Sequence, residues 1–240
     1  MQQISDTVFC DDFVLNIPLA TRLMPSPYET LPYLIIEDFF NPIQSRIIMS
    51  EVHQSLPKTQ QHAEIKVSEQ GAFIAKTNRN IRKTLTVELS STILEHYYHT
   101  FASHQERIEH FFNAPLSTAS FPQGLYYDTG GFYECHADDS SMLLDSKSNI
   151  IGFKQVAPQR KITTIAFCNS HHDYDKEDGF EGGEVLFNFL HDAHGETIAL
   201  RPKAGMLLVF PSNPIYAHEV KKVLKGERFC IVQWHNAVIA

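Results

Sequence analysis

The stretch that decides the fold is Tyr133-Glu134-Cys135-His136-Ala137-Asp138-Asp139, in which a histidine and an aspartate are separated by one residue. Side chains alternate between the two faces of a β-strand, so His136 and Asp138 are predicted to project from one face of one strand, while Cys135 and Ala137 point away. A second histidine, His218, opens the later stretch His-Glu-Val-Lys-Lys-Val. Two imidazoles and one carboxylate on one face of a metal leave the opposite coordination positions open to small molecules.

Histidines beside acidic residues are most often solvated surface groups, and His-x-Asp with a distant histidine is a common pattern. Arg228, ten residues after His218, strengthens the metal interpretation. Arginine binds carboxylates through two parallel hydrogen bonds. If His218 ends one strand and residues 228–234 form the next, a hairpin brings the guanidinium near the metal, where a dicarboxylate could bridge the two. The pattern therefore favours an Fe(II) site, the metal for which two histidines and one carboxylate are typical.

About half of the chain, roughly residues 120 to 236, resembles the prolyl 4-hydroxylase-like (PKHD-type hydroxylase-like) branch of the 2-oxoglutarate and Fe(II)-dependent oxygenases. The matching segments occur in the family's order: Tyr127–Asp138, Arg160–Asn169, Glu181–Phe187, Pro202–Ser212 and His218–Trp234. Two features depart from the family pattern. Residues 139–159 form a longer polar insert, and the usual Tyr-Leu-Asn is replaced by Phe-Cys-Asn, ending at Asn169.

The resemblance implies a role for seven residues. Three of them would be iron ligands: His136, Asp138 and His218. Arg228 would hold the distal carboxylate of 2-oxoglutarate, and Tyr127 would hydrogen-bond the same carboxylate. Arg160 matches a family position near bound substrate, and Arg82 lies in the region that often covers the active-site mouth. No catalytic residue beyond the metal ligands is expected.

The activity implied by the resemblance is hydroxylation of an unactivated C–H bond in a prolyl or other residue of a protein or peptide, with succinate and CO2 as coproducts. The implied cofactors and cosubstrates are Fe(II), 2-oxoglutarate and O2, with ascorbate as an additional reductant. Asp138 argues against a halogenase-like variant, in which the family keeps that coordination position open for halide. Two alternatives remain: the same chemistry on a free amino acid or other small metabolite, and a non-catalytic metal-binding jelly-roll or cupin-like module.

The predicted fold class is α+β, mainly β: a double-stranded β-helix, or jelly roll, with N-terminal helices packed on one sheet. Residues 1–119 are predicted to form an arm and supporting helices, integral to a single domain, and residues 120–240 the catalytic core. Asn41-Pro42-Ile43-Gln44 predicts a helix start, with Asn41 as the N-cap and Gln44 reaching back to it. The helix should run to about Leu56, with Ile43, Ile47, Ile48 and Val52 on one side. A second helix is predicted from about Leu89 to Phe112.

From Leu125 onward the pattern changes to short runs rich in β-branched and aromatic residues, punctuated by Gly and Pro. These runs predict six strands: Leu125–Tyr127, Ile162–Phe167, Glu184–Phe189, Thr197–Leu200, Met206–Phe210 and Phe229–Trp234.

Composition limits the partners. The 240 residues are 43% hydrophobic, enough for one substantial core, and 28 acidic residues against 20 Lys and Arg give a formal charge of −8. This charge offers no general attraction to phosphate backbones, so nucleic acid is not expected as a partner. The chain shows no basic and apolar leader and no apolar span of membrane length, so we expect a soluble, cytoplasmic protein with no membrane association. The four cysteines have no Cys-x-x-Cys spacing, and the oligomeric state stays open.

Three polar clusters lie outside the proposed site. His171-His172-Asp173 and the stretch from His191 to His194 are each predicted to be solvated loops, since loop tips lack a rigid scaffold for ligands. A basic cluster is predicted to form either a solvated face or a substrate-contacting segment. Its members are Lys76, Arg79, Arg82 and Lys83.

Overall fold

The computed structural model describes residues 2–3, 7–10, 33–56, 61–62, 65–69, 72–76, 81–144, 150–172 and 179–237. The predicted arm around Pro25-Ser26-Pro27, together with Arg79 and Asp173, lies outside the described residues. So does the side chain of Lys76.

Two long α-helices are described, α1 (Pro42–Ser55) and α2 (Ser91–Phe112), with a short 3-10 helix at Pro214–Tyr216. The predicted start of α1 is confirmed. The Asn41 side chain accepts hydrogen bonds from the backbone N–H groups of Ile43 and Gln44, both at 2.9 Å, and the Gln44 side chain accepts one from the Asn41 N–H. This reciprocal capping satisfies N–H groups that have no partner within the helix.

The strands, numbered in chain order, are β1 (Gln2–Gln3), β2 (Val8–Cys10), β3 (Leu34–Ile36), β4 (Gln61–His62), β5 (Ile65–Glu69), β6 (Ala72–Lys76), β7 (Arg82–Lys83), β8 (Leu85–Val87), β9 (Leu116–Thr118), β10 (Gln123–Tyr127), β11 (Phe132–His136), β12 (Ser140–Leu144), β13 (Ile150–Gln155), β14 (Ile162–Phe167), β15 (Ser170–His171), β16 (Gly179–Gly182), β17 (Val185–His191), β18 (Thr197–Leu200), β19 (Leu207–Pro211), β20 (His218–Val220), β21 (Val223–Gly226) and β22 (Arg228–Ala237). All six predicted strands are present. β14 and β18 have the predicted bounds, and the others differ at their ends because tertiary hydrogen bonding sets where a strand stops.

The two largest sheets face each other and form the barrel. The larger sheet has the order β3-β19-β14-β22-β10-β8-β4, with β9 pairing along the end of β22, and the smaller sheet has the order β18-β17-β20-β11-β7. Apolar side chains from both sheets meet in one buried cluster, which includes Leu125, Phe167, Phe187 and Phe210. The architecture is the predicted double-stranded β-helix.

Both helices pack against the outer face of the larger sheet, as predicted. Ile48 and Val52 of α1 and Tyr97 of α2 share a buried cluster with Phe229 and Ile231 of β22. Because side chains alternate along β22, its even-numbered residues from Arg228 to Val232 point into the barrel instead. The helices therefore support the strand that carries the predicted carboxylate-binding arginine.

The predicted apolar side of α1 was wrong in part. Ile48 and Val52 are fully buried, but Ile43 is 63% exposed and Ile47 is 37% exposed. At about 100° per residue, positions 43 and 47 lie more than a quarter-turn away from positions 48 and 52, so the four isoleucine and valine side chains cannot share one face.

The polar insert after Asp139 is not a loop throughout. β12 and β13 form a hairpin whose second strand pairs with β2, giving a four-stranded sheet of order β1-β2-β13-β12.

Residues from the first part of the chain also enter the barrel, since β3, β7 and β8 pair with β19, β11 and β10. The division of the chain at residue 119 stays a prediction. In the described part of the chain, neither helix combines the length and apolarity needed to span a membrane.

Candidate active site

The two histidines of the site lie on neighbouring antiparallel strands. His136 is the last residue of β11, and its register partner on β20 is His218, the first residue of that strand. Side chains directly opposite each other in an antiparallel pair project from the same face, so the pairing itself brings the imidazoles together. Their ring centroids lie 4.3 Å apart.

Asp138 completes the cluster from a turn. The prediction that one strand supplies both His136 and Asp138 was wrong in detail, because β11 ends at His136 and the chain turns at Asp138 into β12. The ligand atoms of Asp138 and the two histidines nevertheless all lie within 4.8 Å of one another. His136 Nε2 is 3.9 Å from Asp138 Oδ1, and both side chains are almost fully buried.

Both imidazoles are oriented through their second nitrogen. His136 Nδ1 donates to the backbone oxygen of Glu134 at 2.9 Å, and His218 Nδ1 donates to the backbone oxygen of Tyr216 at 3.1 Å. Burial lowers the pKa of His218 and lowers that of His136 well below its usual value, and the proximity of His218 lowers the pKa of His136 further. Neutral imidazoles with the proton on Nδ1 present an Nε2 lone pair to the cluster, as metal ligation requires.

The Asp138 carboxylate is oriented in the same way. Thr163 of β14 donates its hydroxyl hydrogen to Asp138 Oδ2 at 2.7 Å, and Arg160 Nη1 donates to the Asp138 backbone oxygen at 3.0 Å. Oδ1 stays directed toward His136. Two nitrogen donors and one oxygen donor, each fixed by a supporting hydrogen bond, are the donor set of a three-ligand Fe(II) site.

Arg228 approaches the cluster from the opposite sheet. The predicted hairpin between His218 and Arg228 was wrong: β20 lies in the smaller sheet, β21 pairs with β16, and β22 lies in the larger sheet between β14 and β10. His218 and Arg228 nevertheless line the same cavity, from opposite sheets. Strand order along the chain could not reveal this, since the intervening strand belongs to a third sheet.

The Arg228 guanidinium is buried without an anion among the described residues. The residue is 1% exposed, its Nη1 lies 3.4 Å from Cys230 Sγ, and Nε and Nη2 have no hydrogen-bond partner in the described part of the chain. The group lies over the rings of Tyr127 and Phe167, at 4.8 and 5.2 Å from their centroids. Gly183, with φ +66°, makes room for the stem, because a Cβ there would lie 3.0 Å from Arg228 Cδ.

Tyr127 lies beside Arg228 as its register partner on β10. The ring is 2% exposed, and burial raises the pKa of its hydroxyl, so the phenol stays protonated and can donate a hydrogen bond. A protonated phenol and an unpartnered guanidinium side by side form a receptor for one carboxylate.

All seven sequence-predicted site residues line one cavity of about 450 Å³ between the two sheets. At one wall Arg160 lies over the indole of Trp234, with its Cζ 3.7 Å from the ring centroid. At another wall Arg82 lies over the ring of Tyr133 at 4.3 Å.

Sequence reasoning missed two aromatic residues that line the cavity. Tyr133 stacks on His136 with ring centroids 3.5 Å apart, although an odd spacing of three should put them on opposite faces. A register shift in β11 between these two residues brings both rings to the cavity, and a bulge of this kind leaves no sequence signal. Trp234 could have been found, because alternation from Arg228 puts every second residue of β22 inside the barrel.

The prediction that Cys135 and Ala137 point away from the site holds for Cys135 only. Both residues pack with Phe9 and Phe153 in a separate apolar cluster, but Ala137 also lines the cavity. The structure therefore gives Cys135 no place among the candidate ligands.

The two histidine-rich clusters have different outcomes. The stretch from His191 to His194 is an exposed hairpin tip, as predicted, closed by hydrogen bonds to the Asp192 carboxylate. The prediction for His171 was wrong: it lies in β15, its side chain is 4% exposed, and its Nε2 is 3.2 Å from Glu184 Oε1. Pairing of β15 with β16 buries it, an interaction between strands that the polar local sequence conceals.

The basic cluster is divided by the structure. Arg82 lines the cavity, whereas Lys83, the next residue of β7, points to the surface, where its Nζ is 3.0 Å from Asp128 Oδ1. The alternation of β7 separates the two charges.

Comparison with known proteins agrees with this geometry. Residues 122–236 match the model of the 2OG-Fe(II) oxygenase superfamily, a segment that contains the three candidate ligands, Tyr127 and Arg228. Over this segment, which contains most of the barrel, the chain is similar to the superfamily.

Solved structures of prolyl hydroxylases share the fold of the chain. A prolyl hydroxylase from Trichoplax adhaerens, in complex with a hypoxia-inducible factor oxygen degradation domain peptide fragment, superposes with a TM-score of 0.62 at 16% identity, covering 85% of this chain and 83% of that one. A Pseudomonas putida prolyl-4-hydroxylase gives 0.57 at 17% identity, covering 87% and 94%. The viral collagen prolyl hydroxylase of Paramecium Bursaria Chlorella virus-1, in its 2OG complex, gives 0.53 at 15%, covering 89% and 100%.

Among curated relatives, human prolyl 3-hydroxylase 2 is 40% identical over 57 residues, which is 24% of this chain and 8% of that protein. The rat protein of the same name is 39% identical over the same length. The chain thus covers less than a tenth of the length of these relatives.

Proposed function

We propose that the protein is an Fe(II)- and 2-oxoglutarate-dependent dioxygenase that hydroxylates an unactivated C–H bond, with a prolyl residue of a protein or peptide as its substrate. The observation that carries the proposal is the Arg228 guanidinium, buried without an anionic partner among the described residues, in the same cavity as the His136, Asp138 and His218 cluster.

Burial of an unpaired charge is costly, so a buried guanidinium is normally paired with an acid or a ligand. The two ends of a dicarboxylate such as 2-oxoglutarate complement the cavity: one carboxylate for Arg228 and Tyr127, and the other end for the metal. A non-catalytic jelly-roll or cupin-like module has no evident need for this second anion site. Arg228 and Tyr127 together are called the carboxylate clamp below. The presence of this clamp favours an oxygenase over a metal-binding module.

In this superfamily, bound Fe(II), 2-oxoglutarate and O2 supply the oxidising chemistry, which releases succinate and CO2. The residues of the chain would orient these bound groups and shield them from water. His136, Asp138 and His218 would hold the metal as ligands rather than as acid–base catalysts. Arg228 and Tyr127 would fix the far carboxylate, and the aromatic and aliphatic lining would keep water from the reacting groups.

The substrate assignment rests on the relatives and on two arginines of the cavity wall. The human relative is named as a prolyl 3-hydroxylase, and the Trichoplax structure contains a peptide fragment. Arg160, stacked on Trp234, and Arg82, stacked on Tyr133, offer aromatic and cationic surfaces beside the metal cluster. A pyrrolidine ring packs well against aromatic faces, and the guanidinium groups can donate to peptide carbonyl oxygens.

The test is turnover by purified protein with Fe(II), 2-oxoglutarate and ascorbate, offered a panel of proline-containing peptides and, in parallel, free amino acids. We expect succinate release that depends on peptide, with a peptide mass gain of one oxygen atom, and none from His136→Ala protein. Succinate release with free amino acids alone would move the substrate to small metabolites. No succinate under any condition would reject the activity.

A further inference from the structure

The side chain of Asn169, just beyond the end of the neighbouring strand β14, hydrogen-bonds to the backbone on both sides of Arg228. Its Nδ2 donates to the backbone oxygen of Glu227 at 2.6 Å, and its Oδ1 accepts from the backbone N–H of Phe229 at 3.1 Å. These are the residues immediately before and after Arg228. Asn169 is 4% exposed; its hydrogen bond to Phe229 is buried and its hydrogen bond to Glu227 is partly buried.

These two side-chain hydrogen bonds replace the backbone hydrogen bonds that a longer β14 would make to β22. β14 pairs with β22 up to Phe167 and Cys230, and the Cys168 N–H still donates to the Phe229 oxygen at 3.2 Å. The chain then bends away at Asn169. The primary amide of Asn169 presents one donor and one acceptor, the same pair of groups that a further peptide unit of the strand would present.

The guanidinium needs this indirect support because little else fixes it. Its Nη1 contact with the Cys230 sulfur is weak, and its Nε and Nη2 have no partner among the described residues. Tyr127 and Phe167 contact it only through their rings. On the other edge of β22, Tyr127 pairs with Arg228 in the last register position of β10. The direction of the Arg228 side chain therefore depends on how firmly residues 227–229 are held.

We propose that Asn169 is a positioning residue for the carboxylate clamp: by pinning the backbone on both sides of Arg228, it aims the guanidinium at the distal carboxylate of the cosubstrate. The inference rests on the proposed function, because the ligand of Arg228 is 2-oxoglutarate only if that proposal holds. Asn169 does not touch the ligand and acts through Arg228.

Substitution of Asn169 separates this role from a general structural one. In Asn169→Ala both hydrogen bonds are lost, and we expect 2-oxoglutarate affinity to fall about tenfold while affinity for Mn²⁺, used as a probe of the metal cluster, changes less than twofold. Asn169→Asp keeps the acceptor for Phe229 but loses the donor to Glu227, and it should also weaken 2-oxoglutarate binding. The matched control is Gln233→Ala. It removes a buried side-chain amide of β22 that donates to the Ser120 backbone oxygen, and it should leave both affinities unchanged.

A double-mutant cycle tests whether the effect passes through Arg228. In the Arg228→Ala background, adding Asn169→Ala should cause no further loss of 2-oxoglutarate affinity. An equal further loss in that background, or an Asn169→Ala affinity within twofold of wild type, would overturn the inference. Parallel losses of Mn²⁺ and 2-oxoglutarate affinity would also overturn it, because they would indicate general damage to the fold.

A measurement without any ligand keeps the inference separate from the proposed function. In ¹⁵N-labelled protein, the Nε–H signal of Arg228 can be assigned by its loss in Arg228→Lys. We expect this signal to move in Asn169→Ala and to stay in place in Gln233→Ala. If wild-type protein binds no 2-oxoglutarate, the proposed function fails, yet a moved signal would still support the positioning role. An unmoved signal would reject it.

Discussion

His136 and His218 are direct register partners across the β11–β20 ladder, and their imidazole centroids lie 4.3 Å apart. A slip of one residue in this pairing would turn one imidazole to the opposite face of the sheet. The metal cluster therefore depends on strand register as much as on residue identity. Asp138 can join from a turn because its carboxylate is held from the other sheet by Thr163.

Removal of a ligand should abolish tight metal binding. In His136→Ala or Asp138→Ala, affinity for Fe(II) or Mn²⁺ should fall by more than the roughly 10- to 100-fold typical of losing a supporting hydrogen bond, because a donor atom itself is lost. Calorimetric titration with Mn²⁺ measures this. His194→Ala on the exposed hairpin tip is the control, and equal affinity in all three variants would refute the ligand assignment.

Thr163 should increase metal affinity without contacting the metal itself. In Thr163→Val the size is nearly kept but the hydrogen bond to Asp138 Oδ2 is lost, so we expect metal affinity to fall about 10- to 100-fold. Thr164→Val is a matched control, since the hydroxyl of that neighbour bonds His235 and Tyr97 on the helix side of β14. Equal affinity in the two variants would show that the orientation of Asp138 does not depend on Thr163.

Loss of the guanidinium should weaken the binding of 2-oxoglutarate and leave metal binding unchanged. Arg228→Ala removes a charge-assisted contact worth roughly 1.5–3 kcal/mol, so 2-oxoglutarate affinity should fall by about one to two decades while Mn²⁺ affinity is retained. Arg107→Ala, an exposed arginine of α2, serves as the control. Undiminished 2-oxoglutarate affinity in Arg228→Ala would remove this residue from the clamp.

His235 should make stability depend on pH. Its ring stacks on Phe101 with centroids 4.7 Å apart, its Nε2 bonds Thr164, and burial lowers its pKa to about 4. A free histidine titrates near 6.5, so between pH 6.5 and 4 the unfolded chain binds a proton that the folded protein does not. The free energy of unfolding should therefore fall as pH falls through this window, by about 3 kcal/mol from this group.

The measurement is chemical denaturation from pH 7 to 4 for wild type, His235→Gln and the exposed control His194→Gln, all without metal. The difference in unfolding free energy between wild type and His235→Gln should shrink as pH falls, while His194→Gln follows wild type. A constant difference across this pH range would contradict the assignment.

Local sequence predicted the parts of the molecule that local physics decides. The Asn41 cap and Gln44 box fix the start of α1, and alternation within β14 and β22 fixes which side chains face the barrel. The choice of His136, Asp138, His218 and Arg228 followed from donor chemistry and resemblance, and the structure brings these four residues to one cavity.

What sequence could not supply is the relation between distant strands. The register shift that stacks Tyr133 on His136, and the placement of β20 and β22 in opposite sheets, are decided by hydrogen bonds between strands far apart in the chain. His171 shows the same limit, because its side chain becomes buried only when the polar stretch around it pairs with β16 as a strand. Asn169 stood out in sequence only as the retained end of an altered motif, and its two contacts with β22 required the fold.

The most direct test of the central claim is an anaerobic titration of Fe(II) protein with 2-oxoglutarate, following the weak visible charge-transfer band of the chelate. We predict a saturable band in wild type, the same band at about ten- to a hundredfold higher 2-oxoglutarate in Arg228→Ala, and no band in His136→Ala. No band in wild type, or an unchanged band in His136→Ala, would contradict the account.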